Sequence, residues 1–274
     1  MGQSIPILFF YVILSEASAS LNFFSIIVLS WNFFSVSSIL SHTTPNSFSL
    51  PKGTTTIVPG SNFPSFPDKY VCGWSKILGI RTGTFTAAAA ELEIEIIGDG
   101  GHGARPHEGI DSIWISAKVI SGLQEAISRR LDALKPVVIS FGKISGGNAF
   151  NVIAERVKLL GTVRCLDSNL YEKLPQWIEK IVKNIASIYG AKANINFKSI
   201  APPVYNDPEL TNLLSDCAKN FMDKEDIVFL ENPSLGAEDF AFFLQDVPGT
   251  MFRLGVAGEQ GCAPLHSGYF SLDE

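Results

Sequence analysis

The stretch "ELEIEIIGDGGHGARPHEGID" (91–111) decides how the chain is read, because it joins a strand-like repeat to a glycine-rich turn. Residues 91–97 alternate charged and apolar side chains, the period of a half-buried strand. Gly98, Gly100 and Gly103 then spell G-x-G-x-x-G, which after a strand can receive the pyrophosphate of a dinucleotide. Two features oppose that reading. Pro106, Glu108 and Gly109 follow where a helix should already be running, and helical periodicity begins only near Asp111. The acidic residue that dinucleotide sites place about 20 positions further on would fall inside that helix. A bare G-x-G-x-x-G is a weak signal, so His102 and His107 need another account. The simplest is a tight strand-to-helix turn with exposed histidines.

Working outward, residues 111–134 place Ile113, Ala117, Ile120, Leu123, Ile127 and Leu131 at spacings of three and four, with Asp111 as candidate N-cap. This predicts an amphipathic helix. "PVVISFGKI" (136–144) and "RVKLLGTVRCL" (156–166) read as a pair of hairpin strands joined through "SGGNAFN" (145–151). A second helix follows at 170–190, with Leu174, Ile178, Ile181, Ile185 and Tyr189 on one face, Pro175 in its first turn or at a kink, and Gly190 as stop. "ANINFKSI" (193–200) supplies a fourth strand. The order strand, helix, strand, strand, helix, strand is the split βαβ, ferredoxin-like arrangement, here over 91–200. Beyond it, helical (206–222), strand (227–231), short helical (236–247) and strand (249–256) patterns suggest part of a separate α/β layer.

The ends of the chain differ in composition. Residues 1–50 carry one acidic residue, Glu16, and no Lys or Arg, while 21–40 are twenty residues without a charge, enough to span a bilayer. A membrane segment, a leader without function and a secretory signal all compete there, and 51–79 read as linker. The net charge of −6 and the lack of any Lys/Arg-rich run argue against a nucleic-acid surface. Cys72, Cys165, Cys217 and Cys262 form no C-x-x-C, which suits a reducing, cytoplasmic setting for the globular part.

Three places carry polar groups that a packed fold does not require: His102 and His107 in the opening turn, Asn148 and Asn151 in "GGNAFNVI" (146–153), and His266 in "APLHSGYF" (263–270). Each has a structural reading, as turn formers or as a core histidine. Together with "TAAAAELEIEIIGDGGHGARPHEGID" (86–111), "LLGTVRCLD" (159–167) and "LGAEDFAFFLQDVPG" (235–249), they make residues 80–274 resemble the zinc-dependent aminoacylase and carboxypeptidase family of amidohydrolases, especially its N-acyl-amino-acid, hippurate and auxin-conjugate hydrolases. The resemblance implies an α/β fold, with a ferredoxin-like dimerisation lid (91–200) inserted in an incomplete α/β metallopeptidase catalytic domain (80–90 and 201–274). It implies two divalent metal ions, zinc or manganese, a homodimer formed through the lid, and an N-acyl amino acid or small peptide as substrate. It also assigns roles. His102 would reach the partner's site and stabilise the oxyanion, Asn151 would place the substrate carbonyl or carboxylate, and Arg164 would bind the carboxylate. His266 would be a metal ligand, and His107 structural.

The family's upstream half has no counterpart here. Neither a Cys-or-His-x-His motif nor a Glu-Glu pair occurs where expected, and no histidine lies between His42 and His102. His266 alone cannot hold a pair of dications. The sequence therefore predicts a truncated member, an amidohydrolase by descent that is inactive as it stands. The other class left open is a non-catalytic dimerisation or interaction module, with membrane tethering through 21–40.

Overall fold

The computed structural model describes residues 75–256, together with two short strands near the amino end, β1 (Leu8–Ile13) and β2 (Val28–Ser30). The remaining strands are β3 (Ser75–Ile80), β4 (Gly83–Thr86), β5 (Ala88–Ile97), β6 (Gly101–His102), β7 (Val137–Gly146), β8 (Val152–Ile153), β9 (Arg156–Cys165), β10 (Lys192–Ala201), β11 (Val204–Asn206), β12 (Ile227–Phe229), β13 (Gly249–Met251) and β14 (Arg253–Val256). The helices are α1 (Ser112–Arg130), α2 (Ser168–Ile188) and α3 (Pro208–Ala218). This mixed α/β chain divides into two compact units, one made of Thr86–Pro203 with Leu235–Asp239, the other of the remainder.

The first of these units is a four-stranded antiparallel sheet in the order β10-β5-β9-β7. β5 shows why the sheet has two unlike faces. Ala88, Ala90, Leu92, Ile94 and Ile96 are buried in the core cluster, while Glu91, Glu93 and Glu95 point the other way. On that open face Lys158 pairs with Glu93 at 3.2 Å and Arg156 with Glu95 at 3.5 Å, each one step diagonal to its partner in register. The opposite face carries α1 and α2, whose Ile115, Val119, Leu123, Leu174, Ile178 and Val182 complete the core. Each such fully buried aliphatic side chain contributes roughly 1.5–3 kcal/mol.

α1 starts where the sequence predicts, with the Asp111 carboxylate accepting from the Ile113 and Trp114 amides at 2.9 and 3.1 Å. Its buried stripe is rotated from the expected one. Ser112, Ile115, Ser116, Val119 and Leu123 face the core, whereas Ile113 is 48% exposed. Two serines occupy core positions because each hydroxyl bonds a carbonyl, Ser116 to Ser112 and Ser112 to Glu155, both at 2.7 Å. α2 begins at Ser168, so Pro175 falls beyond its first turn, inside a helix that continues past it. The helix ends as expected: Gly190 has φ +78, its amide bonds Ser187 O at 3.1 Å, and the Ala191 amide bonds Ala186 O at 3.0 Å. Those two bonds are the Schellman pattern.

In the other unit β3 is central, paired parallel to β12 and antiparallel to β14. It begins at Ser75, within the stretch that reads as linker. β11 pairs with β4, and β13 with β1, Tyr11 lying opposite Met251. The buried Asn206 ties β11 to β13: its amide donates to Arg81 O and Met251 O, and its carbonyl accepts from the Met251 amide at 2.7 Å. Of the apolar segment 21–40 only Val28–Ser30 lies among the described residues, as a strand. No helix among them is long and apolar enough to cross a membrane.

Candidate functional site

Two glycines of the opening motif, Gly98 and Gly103, are required by close backbone approach. The motif's glycines avoid the left-handed region; positive φ among the described glycines occurs at Gly83, Gly147 and Gly190. A Cβ on Gly98 would stand 2.1 Å from Ile110 O, and one on Gly103 would stand 2.9 Å from Asn151 O. The chain leaves β5 through Gly98, whose amide bonds Glu155 O at 2.8 Å, and returns where Asp99 and Ile110 exchange two backbone bonds of 3.1 and 2.8 Å. Between these points the loop folds against the segment preceding β9. Gly101 lies opposite Ile153 and His102 opposite Val152, and the Gly103 amide bonds Asn151 O at 2.9 Å. No helix starts at Gly103. A single 3-10 turn spans Pro106–Glu108 and α1 waits until Ser112, its first amides already taken by Asp111, so the helix that a dinucleotide fingerprint opens at its third glycine is missing.

His102 opens a β-turn in which the Arg105 amide bonds His102 O at 2.8 Å, and the His102 imidazole Nδ1 accepts the Ala104 amide at 3.1 Å. The ring is exposed. His107 stands nearby on the 3-10 turn, also exposed, its Nε2 3.7 Å from Glu108 Oε1. Asn151 is exposed and adjoins this turn through its main-chain carbonyl. His102 and Asn151 are therefore brought together.

Arg164 is elsewhere. It sits half-buried on the open face of β9, opposite Ala89 and Val138. Gly98, from which the His102 loop departs, adjoins Glu155 at the other end of β9. From Arg156 to Arg164 is eight residues of one strand, about 27 Å at the usual rise. His266 lies outside the described residues.

Near Arg164 the structure gathers polar residues that sequence reasoning did not single out. Tyr171 donates to Ala89 O at 2.9 Å and meets Ser199 Oγ at 2.8 Å, and burial raises its phenol above the ordinary range. Asp167 caps α2 by accepting the Leu170 amide at 2.8 Å and takes the Lys135 ammonium at 2.7 Å. The hydrogen bond with Lys135 holds the Asp167 carboxyl below its usual value and raises Lys135. Burial raises the Cys165 thiol above its ordinary range, where it packs as an inert core side chain. The one advance signal for this cluster is "DSN" (167–169), an N-cap residue before an apolar-periodic run.

Metal chemistry is not supported by this donor set. Among the described residues no three His, Cys, Asp or Glu side chains are grouped to hold an ion. The exposed His102 and His107 would need a third donor to fix one.

The fold and this turn define a class. Residues 82–193 match the model of the peptidase dimerisation domain. A Synechocystis sp. protein named "Probable hydrolase" is 48% identical over 225 residues, which is 81% of this chain and 56% of that protein. The N-acetyldiaminopimelate deacetylase of Leuconostoc mesenteroides is 41% identical over 200 residues, 72% of this chain and 50% of that enzyme. Among solved structures, a dinuclear metal-binding peptidase of the M20 family from Bacillus subtilis aligns with TM-score 0.58 and 28% identity, covering 72% of this chain and 48% of that one. Residues 82–193 are an M20 peptidase dimerisation domain, and the chain's homologues are amidohydrolases, deacetylases and carboxypeptidases of the M20 family. The chain spans about half the length of the curated relatives it matches.

Proposed function

We propose that this chain supplies the ferredoxin-like lid and the adjoining part of a metal-dependent amidohydrolase that cleaves the amide bond of N-acyl amino acids or small peptides in the cytoplasm, as a homodimer joined through the lid. His102 donates a hydrogen bond to the oxyanion that develops on the scissile carbonyl. Arg164 binds the substrate carboxylate, since guanidinium matches it bidentately. Asn151 helps place the carbonyl or carboxylate. His266 is the position proposed for a metal ligand. A divalent pair, zinc or manganese, would supply polarisation of the carbonyl and activation of water when bound. The described residues do not hold the pair, so the roles above are those of the chain's own side chains.

The observation that carries this reading is the separation of His102 and Arg164. The loop that carries His102 departs beside the Arg156 end of β9 and Arg164 lies near its other end, a separation that supports a site shared between two copies, each giving one of the residues. The test is a chimera in which the part of the Synechocystis hydrolase outside the match is joined to this chain. His102→Ala should lower turnover of an N-acyl amino acid by about 10²- to 10³-fold, the usual cost of one oxyanion donor. KM should move far less, because the bond strengthens as charge develops. Unchanged turnover would remove His102 from the chemistry.

A further inference from the structure

The opening turn does more than display an imidazole; it fixes which nitrogen carries the proton. A backbone amide can only donate, and the Ala104 amide points at His102 Nδ1 at 3.1 Å. The neutral ring therefore presents a lone pair at Nδ1 and must carry its hydrogen on Nε2. His102 thus behaves as Asn or Asp does at the first position of a turn, accepting the amide two residues on. The turn itself is held from below. Gly103 donates to Asn151 O at 2.9 Å, and a side chain at 103 would displace that carbonyl, since its Cβ would come to the same 2.9 Å. β6 and β8 lock the next two positions in register, His102 with Val152 and Gly101 with Ile153. "GGHGA" and "GGNAFNVI" are consequently one device, in which the second segment is the platform for the first.

We infer that the Ala104 amide and the Gly103–Asn151 contact are positioning elements that hold the neutral form of His102 as the Nε2–H tautomer, a hydrogen-bond donor turned towards a developing oxyanion. This rests on the amidohydrolase reading for its purpose but not for its test. The geometry also accounts for Gly103, since the amide of residue 104 has to reach back over residue 103 to the ring.

Long-range proton–nitrogen NMR on the full chain, labelled at histidine and recorded where imidazole is neutral, reads the tautomer directly. In the native chain the Nε2–H form of His102 should exceed the other by about tenfold more than in the same chain unfolded in urea, the increment a hydrogen bond of ordinary net strength sets. In Gly103→Ala, shown to be folded by circular dichroism, the ratio should relax towards the unfolded value. A native ratio equal to the unfolded one, or a dominant Nδ1–H form, overturns the inference whatever the activity. The wild-type measurement decides alone if Gly103→Ala does not fold. A fixed Nε2–H tautomer combined with full turnover in His102→Ala would instead sink the amidohydrolase role and leave the positioning intact.

Discussion

The two units use apolar residues in different ways. In the unit built on β5, the strands β5, β7, β9 and β10 alternate, their inward residues meet two helices, and Leu92, Ile94, Ile96, Leu159, Leu174 and Ile178 are all fully buried. In the other unit the strands are short, and the second buried cluster comprises Phe85, Val204, Leu230, Phe240, Ala241 and Met251 among the described residues. Phe221, Phe229 and Tyr205 there are more than half exposed. A unit whose own periodic pattern closes its core can carry a site on a loop. The unit built on β5 holds the 98–110 turn proposed as such a site, pinned by main-chain bonds at both of its ends.

The sharpest way to break that contrast is to delete side chains from each unit. Ile94→Ala should cost about 2–5 kcal/mol, the range for emptying a packed aliphatic site, whereas Phe229→Ala should stay within about 0.5 kcal/mol, as exposed positions do. Urea unfolding with separate probes in each unit checks both. Equal effects would mean that the core built on β5 is not the better packed. A smaller effect is expected at the loop's exit. Gly98→Ala places a methyl against Ile110 O, and overpacking of this kind costs about 1–3 kcal/mol. Hydrogen exchange should then quicken at the amides of Asp99 and Ile110. Unchanged exchange would show that the loop tolerates a Cβ and that its glycines serve another end.

The smallest effect is electrostatic and lies at the opposite end of the same unit. The Asp167 carboxyl is lowered by Lys135, so its contribution is present above the ordinary aspartate range and is lost as pH falls through its lowered value. Lys135 is raised by the same contact, so its contribution is complete below the ordinary lysine value and is lost as pH rises through the raised one. A double-mutant cycle with Asp167→Asn and Lys135→Met should give a small coupling, flat through neutral pH and vanishing at both extremes. It is modest because the pair is solvent-exposed. Coupling that persists in acid would mean that another group neutralises Asp167.

The unit built on β5 was the most legible part of the sequence because alternation and helical spacing are local. The observed element order and the Asp111 and Gly190 boundaries follow from residues within a few positions of each other. The buried face of α1 was not legible, because Ser112 and Ser116 count as polar until their hydroxyls are seen to bond carbonyls. The reason for the glycines was equally hidden. A G-x-G-x-x-G string does not say that Gly98 faces Ile110 O and Gly103 faces Asn151 O, contacts made across gaps of 12 and 48 residues. Nor could spacing alone reveal that the His102 loop departs beside one end of β9 while Arg164 lies near the other, since that depends on the β5–β9 register.

That last separation makes subunit mixing the most direct measurement. In the chimera, His102→Ala and Arg164→Ala chains should each be nearly inactive. Unfolded together and refolded as an equal mixture, they should recover about one quarter of the wild-type rate, because half of the dimers are then mixed and each has one intact site of two. No recovery, with mixed dimers shown to form, would contradict the account: His102 and Arg164 would then act within one copy, or not at one site.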